Sequence, residues 1–356
     1  MAVLRRSGLV QVFWISLGIA GCGGTEPSSN VRVRAELVRL PGASTSAPAY
    51  APGPGGTTSL VRPWSSQLAI TSLRGPVMGI LLKGPGRETI EVYRCTGALA
   101  DDCLVELNGP ALQDLLNTDP IVVAPGTYDR VTIEYCRAEL KYHAYLTGSV
   151  SIGGTTYFTR TSGNLGAAGP AEPVPMLYNG CGSEYAISTP LVVTDTASIP
   201  VVLRLYFDVR DIAYAALGDP TTTSLRVPGC SPVTTVGLAP FVCAAYPTVA
   251  AVEGTTPPQV ERYRVNGGAT IGLMFEAGTD RFIGGYFRKY VVEDLAWNPG
   301  FMPDAFVESL TLNTGGTYTL HQVGGVTFPA FRRTTHSGTA TDQSGNPFAY
   351  SAERLP

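Results

Sequence analysis

The chain has 356 residues, which is enough for one large domain or two modest ones. Only 15% of the residues are charged, below the roughly 25% of ordinary globular domains, and the net charge is −3. Because such a surface offers no overall attraction to phosphate backbones, the composition argues against nucleic acid as a partner.

The amino terminus has the order of features that is typical of a secretory signal peptide. Arg5 and Arg6 form a short basic region, and residues 8–20 form an apolar stretch that Gln11 interrupts. This stretch is shorter than the roughly 20 apolar residues that a membrane-spanning helix needs. A basic region, a short apolar region and small residues in this order instead predict a signal peptide over residues 1–21.

The signal ends in Ile19-Ala20-Gly21-Cys22, and this tetrapeptide resembles a bacterial lipobox. The resemblance implies cleavage before Cys22, a diacylglyceryl thioether on its sulfur, and an acyl chain such as palmitate on its new amino group. Several acyl chains give stable membrane attachment, where a single chain gives only marginal binding. Residues 22–30 then form a lipid-anchored tether. The alternative is an ordinary cleaved signal in which Cys22 is incidental.

Six further cysteines, an even number, fit an exported chain with disulfide bonds, because disulfides persist outside the reducing cytosol. Six cysteines allow many pairings, and the sequence alone does not choose among them. The simplest hypothesis pairs neighbours: Cys95 with Cys103, Cys136 with Cys181, and Cys230 with Cys243. A zinc site is the competing interpretation. The chain has no C-x2-C pair and only three histidines, so we predict no metal and no cofactor.

Apolar and polar residues alternate along much of the chain, and this period of two is typical of half-buried β-strands. Val31, Val33, Ala35 and Leu37 alternate with charged residues and predict the first strand. A stretch rich in Pro, Gly, Ser and Thr predicts a long loop at residues 41–58. The other strands predicted in this half are short runs within 66–82, and 89–93, 121–123, 128–135, 149–152, 155–159 and 201–209.

One short helix is predicted between these strands. Pro110 suits its first turn, because that position needs no amide donor. Leu112, Leu115 and Leu116 then form one apolar stripe, and the helix is expected to end near Asn117.

Two blocks of sequence in the first half carry a family resemblance. The first comprises Leu104–Gly109, the leucine-rich helix and the turn Ala124–Tyr128 with its following strand, and the second is Val202–Val209. Together they resemble an uncharacterised family of bacterial lipoprotein domains with a transthyretin-like β-sandwich. The resemblance implies a β-sandwich, transthyretin-like or immunoglobulin-like, over residues 31–217. The chain departs from the family in an insertion at Cys95–Cys103 and in its first strand. The family brings no catalytic residues, so none are carried over.

The second half is predicted to be a linker followed by a second β module. Residues 218–260 are rich in Pro and Thr, and Cys230 and Cys243 would pin them as a linker. The module at 261–356 contains three predicted hairpins, which are 271–275 with 281–290, 310–312 with 318–320, and 337–341 with 348–351. Gly284-Gly285 predicts a bulge in the first of them. The predicted fold class is therefore all-β, a β-sandwich followed by a second β-rich module.

The sequence carries no motif for a known catalytic chemistry. It lacks G-x-S-x-G, H-E-x-x-H and G-x-x-x-x-G-K-[ST], and six paired cysteines would leave no free thiol. His143, His321 and His336 each lie in or beside a predicted strand, where a histidine on a polar face is the plainer interpretation. We therefore predict no catalytic residue. Two loops, Asp101-Asp102 and Asp342–Asn346, offer oxygen ligands for calcium, but these residues are also the usual turn formers.

Aromatic residues are the remaining clue to a ligand. Tyr286, Phe287 and Tyr290 lie close in sequence to Trp297, and Tyr142 and Tyr145 flank His143. Exposed aromatic rings would suit a glycan-binding surface. Core packing is the favoured use, because aromatic side chains fit the half-buried surface of strands well.

These observations favour a non-enzymatic binding or scaffolding protein of the cell envelope. Its partner would be an envelope protein or a polysaccharide, and lipidated Cys22 would attach it to a membrane. Gly23 stands where an aspartate would resemble an inner-membrane retention signal, so we expect the outer membrane. The alternatives are an envelope hydrolase with a dispersed catalytic site and a purely structural spacer. A pocket with a titratable cluster would favour the hydrolase, and a flat apolar patch would favour binding.

Overall fold

A computed structural model describes most of the chain. The described residues are 32–39, 66–86, 88–107, 121–152, 154–194, 201–210, 212–216, 241–244, 247–253, 256–265, 269–289, 304–322, 326–342 and 344–355. Within them the chain is all-β, as predicted, with one 3-10 helix at Ala100–Cys103. These ranges include no helix with the length and apolar character that crossing a bilayer requires. The predicted signal peptide, the tether and the helix at 110–117 lie outside them.

The described residues up to Glu253 form strands with the following bounds. They are β1 Arg32–Arg39, β2 Ser66–Gln67, β3 Ala69–Pro76, β4 Gly79–Lys83, β5 Ile90–Arg94, β6 Leu104–Glu106, β7 Ile121–Val122, β8 Gly126–Glu134, β9 Lys141–Ile152, β10 Thr155–Thr159, β11 Leu165–Gly166, β12 Val174–Asn179, β13 Gly182–Val193, β14 Val201–Asp208, β15 Ala213–Ala216, β16 Phe241–Ala244 and β17 Thr248–Glu253. Eight form a sheet in the order β5-β4-β8-β13-β17-β14-β1-β7. A second sheet has the order β11-β10-β9-β3-β6, with β12 also paired to β9, and a small third sheet is β16-β15-β2.

The two larger sheets pack face to face, which confirms the predicted β-sandwich. Alternate residues of β8, including Val131 and Ile133, are buried because successive side chains of a strand point to opposite faces. One cluster of buried side chains joins them to Leu146 and Met176 of the second sheet. The sandwich core therefore lies between these sheets.

Part of the predicted linker at 218–260 is core instead. Strand β17 lies between β13 and β14 in the eight-stranded sheet, and residues 248–252 are all buried. Some of its side chains join the sandwich core, whereas Ala250 and Val252 pack on the other face against Met274. A strand buried on both faces shows a continuous apolar run rather than alternation. The apolar run of β17 is not predicted as a strand because it lies within a segment that is otherwise rich in Pro and Thr.

The remaining described residues form a closed barrel of eight antiparallel strands. They are β18 Gln259–Val265, β19 Ala269–Phe275, β20 Phe282–Lys289, β21 Asp304–Leu312, β22 Tyr318–Gln322, β23 Thr327–Phe331, β24 His336–Thr341 and β25 Pro347–Leu355. The strands follow sequence order around the barrel, and β25 pairs with β18 to close it. Apolar side chains fill the interior, among them Ile271, Phe287, Phe328 and Phe331.

The three hairpins predicted for this module are present. Strand β19 pairs with β20, β21 with β22, and β24 with β25. The register of the first pair shifts between Met274 and Phe275, which places a bulge beside Gly284-Gly285 as predicted. In the sandwich, β9 and β10 form the hairpin predicted at 149–159.

Two disulfides, Cys95–Cys103 and Cys136–Cys181, are present in the sandwich. Both join neighbouring cysteines, as the simplest hypothesis predicts. Cys243 lies in β16, but Cys230 lies outside the described residues. The third pairing therefore stays a prediction.

The barrel docks on the sandwich through a buried interface. Met274 of β19 packs against apolar side chains of β14 and β17. Arg288 of β20 is buried and donates to the Arg210 carbonyl oxygen at 2.6 Å and to the Thr248 hydroxyl at 3.0 Å. Its guanidinium also lies 3.9 Å from the centre of the Tyr286 ring. Because both acceptors belong to the sandwich part of the chain, Arg288 helps to hold the two modules together.

Candidate functional site

An open cleft with a volume of about 530 Å³ lies at one end of the barrel. Its walls come from β18, from the turns that follow β19, β21 and β23, and from the end of β25. Most of its side chains are polar, and the charged ones are Glu261, Asp280, Arg332, Arg333 and Arg354. Several charged groups therefore converge on one open space at this end of the barrel.

Glu261 is the buried carboxylate of this cleft. It shares the inward-facing side of β18 with Tyr263 and Val265, which belong to the barrel core. The carboxylate accepts hydrogen bonds from two nitrogens of Arg333 at 2.9 and 2.7 Å and from one nitrogen of Arg354 at 3.1 Å. The Tyr263 hydroxyl donates to it at 2.6 Å. Burial acts to raise the pKa of Glu261, but these donors and charges lower it below its ordinary value, so the carboxylate is ionised.

Arg333 covers the apolar interior of the barrel at this end. Its guanidinium carbon lies 3.9 Å from the centre of the Phe275 ring and 6.0 Å from that of Tyr318. A terminal nitrogen donates to Asp280 Oδ1 at 2.6 Å. The hydrogen bonds to Glu261 are the main reason why the pKa of Arg333 is raised. Two carboxylates and two rings therefore fix Arg333 in place, and it contributes positive charge to the wall.

The other two arginines leave donors available to the cleft. One terminal nitrogen of Arg354 donates a hydrogen bond to Glu261. The other terminal nitrogen lies 3.4 Å from the Arg333 carbonyl oxygen. Its side chain is 46% exposed. Arg332 is exposed, and its guanidinium makes no hydrogen bond or ion pair with any residue that the structure describes. A guanidinium is a planar fork of N–H donors that matches a carboxylate or a phosphate.

The balance of charge in the cleft is positive, although the whole chain has a net charge of −3. Three arginines face two carboxylates, and Glu261 is fully engaged. The side chain of Asp280 is 82% exposed, and one of its carboxylate oxygens accepts a hydrogen bond from Arg333. Arg332 and Arg354 both line the cleft and are both exposed, so their charges are accessible to an anionic group in it.

The turn between β21 and β22 leaves one wall of the cleft without side chains. Gly315 and Gly316 have φ values of 88° and 76°, a left-handed conformation that glycine adopts without steric cost. A Cβ added to either glycine would meet no atom within 4 Å. The space over this turn is therefore open to close approach by a ligand.

A hydrogen-bonded brace connects the loop that carries Asp280 to the sandwich. Arg281 donates to the Glu276 carboxylate at 2.8 and 2.9 Å and to the Thr189 hydroxyl at 2.7 Å. The Thr189 hydroxyl donates in turn to Glu276 at 2.8 Å. These hydrogen bonds, chiefly that of Arg281, lower the pKa of Glu276 to about 2. Because Thr189 belongs to β13, the sandwich helps to position this wall of the cleft.

The histidines considered as catalytic residues do not line the cleft. His143 is exposed on β9 of the sandwich, and His321 is half-buried on β22. The ring nitrogens of His336 lie 2.7 Å from the Thr334 carbonyl oxygen and 2.9 Å from the Tyr350 hydroxyl. His336 thus connects the turn after β23 to the barrel wall.

The loops weighed as calcium sites form turns. Asp342 Oδ1 accepts hydrogen bonds from the backbone amides of Ser344 and Asn346, both at 2.8 Å. Asp102 accepts one from the backbone amide of Leu99 at 3.0 Å. In the described ranges, no three His, Cys, Asp or Glu side chains are grouped so that they could hold a metal ion.

Most of the aromatic residues considered for glycan binding are core residues where the structure describes them. Tyr286, Phe287 and Tyr142 are all buried, which confirms core packing for these three. Tyr145 is half-buried, and its hydroxyl donates to Asp101 Oδ2 at 3.2 Å. Tyr290 and Trp297 lie outside the described residues. The three buried rings therefore supply no glycan surface in the described part of the chain.

Sequence reasoning does not find the cleft, although one signal for it is present. Glu261 falls in the inward-facing series with Tyr263 and Val265, where a charge needs a partner of opposite sign. The sequence does not show which of the 25 lysines and arginines supplies that partner. Arg333 reaches Glu261 only because barrel closure brings the turn after β23 beside β18.

No protein-family model matches the chain, and comparisons with curated proteins and with solved structures find no match either. The class that the fold and site define is an all-β protein in which a β-sandwich carries a closed barrel with a cationic cleft at its mouth.

Proposed function

We propose that the protein is a lipid-anchored component of the cell envelope that binds an anionic ligand in the barrel cleft without transforming it. The ligand would be part of an envelope polysaccharide or an envelope protein. The observation that carries the proposal is exposed Arg332, whose guanidinium has no hydrogen-bond or ion-pair partner among the described residues. Together with Arg354 it lines a cleft where arginines outnumber carboxylates. Barrel mouths are common ligand sites, because rigid strands hold the side chains around them.

The titratable cluster in the cleft is a feature that would favour a hydrolase. Its central carboxylate, Glu261, however, already accepts hydrogen bonds from neighbouring side chains. A general acid must carry a proton near the working pH, and a general base needs a lone pair directed at the substrate. The lowered pKa keeps Glu261 unprotonated, and donors from Arg333, Arg354 and Tyr263 use its oxygens. Binding therefore fits the cleft better than hydrolysis, and hydrolase and spacer remain the alternatives.

The membrane attachment in this proposal comes from the lipobox-like end of the signal. Lipidated Cys22 and the tether to residue 30 would place the sandwich and barrel at the surface of the outer membrane. The intact mass of protein extracted from membranes tests this attachment. We expect a chain that begins at Cys22, carries added lipid mass and has no alkylatable thiol. A chain without lipid mass, or one with six alkylatable thiols, would contradict it.

The binding proposal is tested by retention of the full-length, oxidised protein on three resins that carry a carboxylated, a phosphorylated or a neutral polymer. We expect retention on at least one anionic resin and none on the neutral one. Retention should weaken as salt rises, because screening shortens the range of exposed charges to about 8 Å at physiological ionic strength.

The matched comparison is Arg332→Glu against Arg130→Glu. Arg130 is an exposed arginine on the sandwich surface that pairs with Glu184, so its reversal changes the net charge equally. We expect Arg332→Glu to abolish retention and Arg130→Glu to preserve it. Equal loss in both variants would mean that net charge, and not the cleft, retains the protein. If neither anionic resin retains the wild-type protein, the proposal that the cleft binds an anionic ligand is wrong.

A further inference from the structure

We infer that the cleft selects an acidic sugar, a pyranose that carries a carboxylate together with free hydroxyls, as in a uronate-containing polysaccharide. The inference depends on the proposed function and narrows its ligand. It comes from three features that surround the exposed arginines: a carboxylate acceptor, an apolar lip and the closed barrel sheet.

The first feature is the acceptor that Asp280 presents beside the cationic donors. One of its oxygens is held by Arg333, and the side chain is 82% exposed. A sugar hydroxyl can donate a hydrogen bond to such a carboxylate, whereas a phosphate or a second carboxylate is repelled by it. A ligand with one anionic group and several hydroxyls satisfies both kinds of group, and a ligand with anionic groups alone satisfies only the arginines.

The second feature is an apolar lip next to the glycine turn. Leu312 does not itself line the cleft, but it is 64% exposed and lies directly opposite the lining residue Tyr318 in the register of β21 and β22. Residues that lie opposite in an antiparallel pair project to the same face of the sheet. The C–H face of a pyranose ring can cover this surface and remove it from water. A phosphate chain has no apolar face that could do so.

The third feature is the closure of the barrel, which argues against an extended acidic peptide. Peptides often bind by adding a strand to a free sheet edge, where main-chain hydrogen bonds supply affinity. Each of the eight barrel strands is flanked by two others, and the ladder is short only between β23 and β24, which share the pair Thr327 and Thr341. The described barrel therefore offers no long free edge, and an acidic peptide would have to bind mainly through its side chains.

The experiment titrates the full-length protein with four soluble probes of similar length. They are oligogalacturonate, its neutral methyl ester, oligoglutamate and polyphosphate. We expect oligogalacturonate to bind at least tenfold more tightly than oligoglutamate or polyphosphate, and the methyl ester to show no measurable binding. If no anionic probe binds, the proposed function itself fails. If oligoglutamate or polyphosphate binds as tightly as oligogalacturonate, anion binding stands and the sugar assignment is wrong.

Two variants test the roles assigned to the side chains. Arg332→Gln should weaken oligogalacturonate binding by about tenfold, the loss expected for one hydrogen bond to a charged group. Asp280→Ala should weaken oligogalacturonate binding several-fold and strengthen polyphosphate binding, because it removes both an acceptor and a repulsion. Glu353→Ala is the control, since Glu353 is 61% exposed and pairs with Arg264 outside the cleft. If Asp280→Ala strengthens binding of both probes, Asp280 only repels anions and the assignment is overturned.

Discussion

Arg333 and Glu261 form a two-point ion pair at the mouth of the barrel, with two guanidinium nitrogens 2.9 and 2.7 Å from the two carboxylate oxygens. The side chain of Glu261 is 4% exposed and that of Arg333 is 17% exposed. A charge this far from water needs a close partner and further hydrogen bonds to offset its desolvation. The pair therefore closes the barrel core and also fixes one of the charges of the cleft.

Removal of the Glu261 carboxylate should destabilise the barrel strongly. We expect Glu261→Gln to lower the free energy of unfolding by about 3 kcal/mol, because Arg333 is left mostly buried without its main counter-charge. Urea unfolding of the oxidised protein measures the change. Glu353→Gln removes a 61% exposed carboxylate from the outer surface and should change stability by less than about 0.5 kcal/mol. Equal losses in the two variants would contradict a buried ion pair.

A double variant separates the pair from simple loss of packing. Glu261→Met combined with Arg333→Met should cost less than the sum of the two single variants, because neither member of the buried pair is then left as an unpaired buried charge. Arg354 and Asp280 each lose a partner in the double variant, but their side chains are 46% and 82% exposed and stay solvated. Additive losses would show that the two side chains stabilise the barrel independently.

The brace at Glu276 predicts a dependence of stability on pH. Its pKa of about 2 in the folded protein lies below the unfolded value of about 4.3. A lowered folded pKa contributes stability that is complete above the unfolded pKa and is lost as the pH falls toward the folded pKa. The difference in urea midpoint between wild type and Glu276→Gln should therefore be present at neutral pH and close between about pH 4.3 and pH 2. A difference that stays constant over this window would show that Glu276 keeps its ordinary pKa.

The positions of most strands follow from the sequence because the pattern that predicts them is local. Alternation at Val33, Ala35 and Leu37 identifies β1, and the same reasoning finds the hairpins of the barrel. The turn at Gly315-Gly316 has the positive φ that its glycines indicate. Each of these features depends only on residues that are close in sequence.

The arrangement of the strands depends on distant residues and does not follow from the sequence. Strand β1 pairs in parallel with β14, which places Val33 opposite Val201. Strand β17 carries an apolar run because the barrel covers one of its faces, and this cover is a product of the fold. For the same reason the partners of Glu261 cannot be read from its neighbours. The cleft therefore cannot be predicted from the sequence. The one local signal for it is Glu261, a charged residue at a position of β18 where the alternation predicts an apolar one.

Close packing between Gly272 and Tyr286 gives a prediction about the interface of the modules. A Cβ added to Gly272 would overlap the ring of Tyr286, which is fully buried beside Arg288. We expect Gly272→Ala to lower the free energy of unfolding by about 1–3 kcal/mol, the usual cost of overpacking. The same substitution in a Tyr286→Ala background should cost much less, since the ring that it displaces is gone. Equal costs in both backgrounds would mean that the glycine is required for its backbone and not for space.

The two disulfides should differ in how much they stabilise the sandwich. Cys136 and Cys181 are 45 residues apart in sequence, whereas Cys95 and Cys103 are 8 apart. Closing the longer loop removes more freedom from the unfolded chain, and loop-closure entropy predicts about 4 kcal/mol for the longer bridge and about 2.5 kcal/mol for the shorter one. Urea unfolding of Cys136→Ala/Cys181→Ala and of Cys95→Ala/Cys103→Ala measures the two losses directly. A larger loss from the shorter bridge would show that packing around Cys103, which is itself buried, outweighs loop entropy at this end of the sandwich.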